Sequence, residues 1–344
     1  MASSPSHSAP GRSSANGIAT AVAHLAAGLE AIGHEVTILA HYIDGPHDHP
    51  RVIILDDPGM TLAERLLFRI APDRVQKHSV VKRIVSAARQ AIADHKIEVV
   101  MVEETHGWAG DVRRKLPVPV VVTLHGPWWL HRTTAGTPDG RAGARREAQE
   151  ATALRQVDGI IAPSQDVRDR TATEWGLPDL PCRVIGNPVS FGETNALAAS
   201  APDPHLLFVG RFDRIKGGDL VIEAFKQIAA VHPTCRLTFV GPDSGIPQPD
   251  GTKLTLAEVH QALPETLRNR ISVLGIRTRD EIVTLRRKFP ITLIASRYET
   301  FGVALIEAMV AGSAVVATCV GGCAEIVRDG ETGFLVPPES PEAL

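Results

Sequence analysis

The sequence predicts an α/β protein built from two doubly wound, Rossmann-like domains facing one another across a cleft. Three features carry that expectation. Short apolar runs alternate with amphipathic stretches, the pattern of βαβ units on a parallel sheet. The alternation is interrupted at residues 190–204 by small, polar and proline residues of linker character. A chain of 344 residues with 44% hydrophobic content can also fill two cores.

Taken in order, residues 1–15 form a serine-rich tail without β-branched or aromatic residues, and they read as disordered. The first domain spans 16–189. It opens on a helix in which Ile18, Val22, Leu25 and Leu29 recur at helical spacing, with Gly33 as its stop. Strands follow at 35–39, 52–55, 99–102, 118–124 and 159–162, with amphipathic helices at 77–95 and 143–157. After the 190–204 linker, the second domain (205–344) repeats the alternation. Its strands are 206–210, 236–241, 271–275, 291–295 and 313–318, and its helices are 218–231, 255–269, 278–288 and 302–311.

Bulk properties exclude several classes. A net charge of −3 gives no basic footprint, so no nucleic-acid partner is expected. Cys182, Cys235, Cys319 and Cys323 contain no CxxC pair, which fits a reducing cytoplasm; Cys319 and Cys323 read as small buried residues. No stretch approaches the roughly 20 apolar residues that span a bilayer, and the N-terminus lacks the apolar core of a signal peptide. The cations Arg69, Arg74, Lys77, Lys82 and Arg83 accompany Leu66, Leu67, Phe68, Val80, Val81 and Ile84. Such a stretch is more simply the polar faces of surface helices than a lipid patch, so peripheral membrane contact is not favoured. His41, His47 and His49 cluster without supporting ligands and read as a solvated loop.

Two clusters carry chemistry. In the first, residues 208–219 lead from strand through Arg211, Lys216, Gly217 and Gly218 into a helix. Two cations beside glycines at a strand's C-terminal end suit a diphosphate, against the alternative of solvated surface charges. In the second, residues 295–312 place Glu299 before a helix and Glu307 two turns inside it. The N–H groups of Phe301, Gly302 and Val303 open that helix as an anion site. Glu307 is suited to accepting both hydroxyls of a ribose, or is an ordinary exposed helix residue.

Together these residues resemble the family 4 (group 1) retaining glycosyltransferases of the GT-B fold. Glu299 and Glu307 form the E-x₇-E pattern, Arg211 and Lys216 the cation pair, and Gly321 to Leu335 the glycine-rich tail. The resemblance implies that Arg211 and Lys216 bind the donor diphosphate, that Glu307 binds the ribose, and that Glu299 holds the transferred sugar with a direct catalytic role under consideration. Asn16-Gly17 resembles the family's glycine-rich loop, placing Gly17 against the diphosphate. His125 resembles the histidine near the anomeric centre, a second catalytic candidate. Asn187 stands in Asn-Pro-Val where Asn-Gly-Val is usual and is assigned to the cleft. Backbone at Ile276 and Arg277 is assigned to the base.

The implied reaction moves a sugar from a UDP- or GDP-sugar to a glycan, lipid or small-molecule acceptor. No cofactor and no metal are expected, since no Asp-x-Asp motif stands out and the cations supply the charge. Competing readings are a noncatalytic donor-binding or scaffold protein, or another GT-B enzyme such as a sugar-nucleotide epimerase. Acceptor contacts are expected in a loop at 128–137, where Trp128 and Trp129 stack on a ligand or simply pack. The resemblance also implies an apolar strand ahead of Asn16-Gly17, which residues 1–15 do not supply, and helices beyond Leu344. Both ends therefore look trimmed, and either another segment fills the gap or the first domain is weakened.

Overall fold

A computed structural model describes residues 17–41, 51–55, 59–70, 72–135, 140–177, 181–189 and 204–344. The serine-rich tail, Asn16, His47, His49 and residues 190–203 of the expected linker lie outside them, as does any strand preceding Gly17. Contacts divide the chain into two compact units. One comprises Met1–His131, Asp139–Pro163 and Val167–Pro188; the other comprises Arg132–Pro138, Ser164–Asp166 and Val189–Leu344.

In the first unit the helix Gly17–Ala31 ends before Gly33, whose φ of 92° lies in the left-handed region that favours glycine. Strands β1 (Ile38–Ala40) and β2 (Val52–Ile54) pair in parallel. Strands β3 (Val100–Glu103), β4 (Val120–Thr123), β5 (Gly159–Ala162) and β6 (Cys182–Val184) form a separate parallel sheet in that order. One face of β4 and β5 is fully buried through Val120, Val122, Ile160 and Ala162, and the other is half-buried through Val121 and Ile161, which is why both strands read as apolar runs. The helix Pro72–His95 contributes Val80, Val81, Ile84, Val85 and Ala88 to the core at helical spacing.

The apolar residues of 65–89 do not share one environment. Val80, Val81 and Ile84 are buried, whereas Leu66, Leu67 and Phe68 are exposed on the helix Leu62–Phe68, which buries nothing. That helix is held from its start by a capping box between Thr61 and Glu64. One expectation for this unit, the loop at 128–137, needs correction: residues 128–135 form a helix. Trp129 packs there with no exposed surface, and Trp128 lies under the Arg146 guanidinium, 4.1 Å from its ring centre.

The second unit holds a six-stranded parallel sheet of β7 (His205–Val209), β8 (Arg236–Val240), β11 (Ile271–Gly275), β12 (Ile291–Ile294), β13 (Ala314–Thr318) and β14 (Phe334–Val336), with an antiparallel bridge between β9 (Ile246–Pro247) and β10 (Lys253–Leu254). The sheet order is β11-β8-β7-β12-β13-β14. Phe208, Phe212, Val221, Phe225, Leu237 and Phe239 anchor its core beneath the amphipathic helix Gly218–Val231. The helix expected at 255–269 divides into Leu256–Ala262 and Glu265–Arg268, because Pro264 has no N–H to continue the ladder. Cys323 is buried as expected, but Cys319, just past the end of β13, is exposed. Among the described residues no helix is long and apolar enough to cross a membrane.

Candidate active site

Strand order positions the second unit's site. Strands β7 and β12 are neighbours, with Leu206 opposite Ile291, and the chain's progression reverses between them. The loops leaving their C-terminal ends therefore emerge side by side at a topological switch point, where open α/β sheets take ligands. One loop carries Arg211 to Gly217, and the other carries Ser296 to Gly302.

Close backbone approach welds the two loops. Gly217 has a φ of 69°, and a Cβ there would lie 2.0 Å from the Ala295 carbonyl oxygen. The Arg297 N–H donates to the Ile215 carbonyl at 2.8 Å. The Arg297 guanidinium is nearly buried and forks onto Asp219, at 2.7 and 2.9 Å, while also donating to the Arg214 carbonyl and Glu339. Burial opposes its charge, but the Asp219 and Glu339 carboxylates outweigh that and raise its pKa. The glycine-rich tail serves the same end. A Cβ on Gly321 would meet the Glu299 carbonyl oxygen at 2.0 Å, and the Gly322 N–H donates to that carbonyl.

On this frame Lys216 Nζ donates to Glu299 Oε1 at 2.5 Å, and Ser296 Oγ donates to the same oxygen at 2.7 Å. Glu299 is only 8% exposed. Asp213 orders the cations: Arg211 Nε donates to its Oδ2 at 2.6 Å and the Lys216 N–H to its Oδ1 at 2.8 Å, with the Arg211 side chain half exposed. Gly302 caps the helix Val303–Val310 with a φ of 100°. The N–H groups of Phe301, Gly302 and Val303 donate to no acceptor among the described residues, which leaves them available to an anion. Glu307, one quarter exposed, accepts from Arg286 Nη1 at 2.5 Å. Ile276 and Arg277 lie apart, beyond the end of edge strand β11, where Ile276 is exposed and Arg277 Nη1 donates to its carbonyl.

In the first unit β3 and β4 pair with Glu103 opposite Thr123, so Glu103 and Glu104 lie beside His125. His125 Nε2 is 2.7 Å from Glu103 Oε2. Burial opposes a charge on His125, yet the hydrogen bond and charge of Glu103, helped by Glu104, raise its pKa. Glu104 accepts the N–H groups of His125 and Gly126 at 3.0 and 2.8 Å. Burial raises the Glu104 pKa, and the charge of Glu103 adds to it against the pull of His125. Glu150 has no exposed surface and accepts from the N–H groups of His106 and Trp128 and from Arg146 Nε. Burial, with Glu104 nearby, pushes its pKa up to about 7. Gly17 is the first residue of its helix, and Asn187 sits half-buried after β6.

Sequence reasoning singled out Arg211, Lys216, Glu299 and Glu307 but missed the groups that hold them: Asp213, Ser296, Arg297, Asp219 and Arg286. It also missed Glu103, Glu104 and Glu150. The tandem carboxylates closing the apolar run at 99–102 were the available signal, since glutamates at a buried strand's end need partners.

Residues 193–344 match the family described as "Glycosyl transferases group 1", and residues 15–192 match "Glycosyltransferase Family 4". A D-inositol 3-phosphate glycosyltransferase from Catenulispora acidiphila is 28% identical over 243 residues, covering 67% of this chain and 57% of its own. The chain thus spans somewhat over half the length of that relative. A glycogen synthase of Mycobacterium tuberculosis is 25% identical, over 95% of this chain and 80% of its own. Among solved structures, a sucrose-phosphate synthase from Thermosynechococcus elongatus superposes with a TM-score of 0.69 at 24% identity, over 94% and 80% of the two chains. The Anabaena protein Alr3699/HepE, solved in complex with UDP and glucose, superposes with a TM-score of 0.68 at 21% identity, over 94% and 83%. The fold is GT-B, with two Rossmann-like units.

Proposed function

The chain belongs to the group 1, family 4 glycosyltransferases, and on that premise we propose that it transfers a sugar, with retention of anomeric configuration, from a nucleoside diphosphate donor to a glycan, lipid or small-molecule acceptor. The observation that carries this reading is the Lys216–Glu299 pair at the switch point of a parallel sheet, flanked by Arg211 and by the N-terminus of the helix Val303–Val310. A UDP- or GDP-sugar is the proposed donor, and the Anabaena structure with UDP and glucose supports that class.

In the proposed mechanism the bond from sugar C1 to the β-phosphate oxygen breaks, and its electron pair leaves on the diphosphate. The acceptor oxygen bonds C1 from the same face, and its proton passes to the departing phosphate oxygen. Charge growing on the diphosphate is opposed by Arg211, Lys216 and the N–H groups of Phe301, Gly302 and Val303, which are fixed before reaction. Glu299 orients the sugar hydroxyls and stabilises positive character at C1. Glu307 takes the ribose, and backbone at Ile276 and Arg277 takes the base. Gly17, His125 and Asn187 enter through the family resemblance alone, as contacts to diphosphate, transferred sugar and cleft. Catalysis without metal follows from assigning the charge to the two cations. The domain limits proposed are 16–189 and 205–344, joined by 190–204.

The test is incubation with UDP- and GDP-sugars and a panel of glycan, lipid and small-molecule acceptors. The readouts are nucleotide release by chromatography and the anomeric coupling of the product by NMR. An α-linked product from an α-linked donor supports the reading. Release of nucleotide without a glycoside points to an epimerase, and binding without turnover to a scaffold; either outcome overturns it.

A further inference from the structure

Arg286 is among the largest fully buried side chains of the described residues, at 2% exposure, and it lies outside the loops that build the diphosphate site. It sits near the end of the helix Arg279–Lys288. Its Nη1 donates to Glu307 Oε2 at 2.5 Å, and its Nη2 donates to the Ala304 carbonyl at 3.3 Å. Ala304 and Glu307 are one turn apart, so the guanidinium grips the helix backbone and the carboxylate together. Ser313 Oγ ties the far end down by donating to the Arg286 and Phe289 carbonyls.

Packing gives no reason for an arginine here. Burying a guanidinium costs desolvation, an apolar pair of similar volume is usually no less stable, and Arg286 Nε is buried with no acceptor among the described residues. The geometry on Glu307 does give a reason. Oε2 is held from the buried side, while Oε1 accepts from no described residue on a side chain one quarter exposed. A cis-diol needs both oxygens of a carboxylate held at fixed orientation, and a side chain fixed beforehand loses less entropy on binding.

We propose that Arg286 is a positioning residue for recognition of the donor's ribose diol, acting through Glu307 without touching the ligand. This rests on the ribose assignment of Glu307. Arg286 fixes the Glu307 rotamer, so the two hydroxyls meet a preset acceptor pair, and the site discriminates ribonucleotides from nucleotides lacking those hydroxyls.

The test is calorimetric titration of UDP, GDP and ADP and of their 2′,3′-dideoxy forms into the wild-type chain and into Arg286→Met, Arg286→Lys, Glu307→Gln and the Met/Gln double variant. Folding is checked by circular dichroism. In the wild type the ribo form binds at least roughly tenfold more tightly than the dideoxy form, the scale of a charge-assisted hydrogen bond. Arg286→Met brings that ratio close to the Glu307→Gln value, the double variant lowers it no further, and dideoxy binding changes less than about threefold. Arg286→Lys retains a cation for Oε2 and recovers part of the ratio, which keeps the test intact if the methionine variant does not fold. Equal loss of ribo and dideoxy binding overturns the proposal, because it indicates structural damage. So does tighter ribo binding in Arg286→Met, which would mean that the arginine competes with the ribose. A ratio that survives Arg286→Met but falls in Glu307→Gln overturns the role of Arg286 and leaves the ribose assignment standing. A ratio indifferent to Glu307→Gln, or no binding by any nucleotide, overturns both.

Discussion

Lys216 and Glu299 lie 83 residues apart in sequence, yet Nζ and Oε1 are 2.5 Å apart because strands β7 and β12 run side by side and release their loops together. The pair is partly buried, so a carboxylate already accompanies the Lys216 ammonium, and the diphosphate proposed for this site competes with it for that cation. Lys216→Ala is expected to weaken nucleoside diphosphate binding by at least about tenfold while changing nucleoside binding less than about threefold. Glu299→Gln is expected to cut turnover by about a hundredfold or more with little change in diphosphate affinity. Calorimetry with diphosphate and nucleoside, beside initial rates, checks both.

The glycines of the two loops give a stability prediction. Gly217→Ala and Gly321→Ala each force a Cβ to 2.0 Å from a carbonyl oxygen at positive φ. Left-handed backbone alone costs an alanine roughly 1–2 kcal/mol, and the overlap adds to it. Each is expected to lose more than about 2 kcal/mol in urea unfolding. Gly330→Ala, also at positive φ but with open space around its Cβ, is expected to lose only about 1 kcal/mol. Equal losses at all three would show that the close approaches contribute nothing.

Buried carboxylates make the first unit sensitive to pH. Glu150 rises from an ordinary 4.5 to about 7, so the folded state binds more protons than the unfolded chain between those values. Stability therefore falls as pH rises across this window, by about 3 kcal/mol for Glu150 as an upper figure. The raised pKa values of Glu104 and His125 act in the same direction. All four tryptophans, Trp108, Trp128, Trp129 and Trp175, belong to this unit, so their fluorescence reports it selectively. Urea midpoints by tryptophan emission are expected to fall from pH 5 to pH 8. Glu150→Gln is expected to start lower at pH 5, having lost one acceptor, and to show a flatter slope. A midpoint that rises with pH would contradict the burial of these groups.

His205 acts in the opposite sense in the second unit. It stacks on Phe289 with ring centres 3.8 Å apart, and Nε2 lies 2.8 Å from Thr238 Oγ1. Burial, with the charges of Arg236 and Lys288, lowers its pKa to about 4. The folded state thus binds fewer protons than the unfolded chain below about pH 6.5, and its stability contribution is lost as pH falls towards 4. Hydrogen exchange in β7 is expected to accelerate from pH 6.5 to pH 4 after correction for intrinsic rates. His205→Gln is expected to remove that acceleration.

Much of the strand pattern was legible because parallel strands bury both faces. Residues 159–162 read as a continuous apolar run and form a strand with those limits, and 271–275 also form a strand as expected, at the sheet edge where Ser272 and Val273 are exposed. The helix at 218–231 was equally legible from its amphipathic spacing. The short helices Leu62–Phe68 and Trp108–Arg113 were not, since a few residues of pattern do not separate helix from loop. Edge strands Cys182–Val184 and Phe334–Val336 are only three residues long, too short a run to stand out. In the site, cations and carboxylates at strand ends were legible by position. Arg286 and Arg297 were not, because a buried arginine looks like any surface arginine until its partner arrives from elsewhere in the sequence, as Glu307 and Asp219 do.

The nucleoside diphosphate site proposed for the second unit is built on Lys216 and Glu307. Its most direct test is a thermal-shift titration with UDP, GDP and ADP and their sugars on the wild-type chain, Lys216→Ala and Glu307→Ala. One nucleotide is expected to raise the melting temperature with the concentration dependence of mass action, and both substitutions are expected to abolish the shift. A folded wild-type chain that no nucleotide stabilises, or a shift that survives both substitutions, would contradict that assignment.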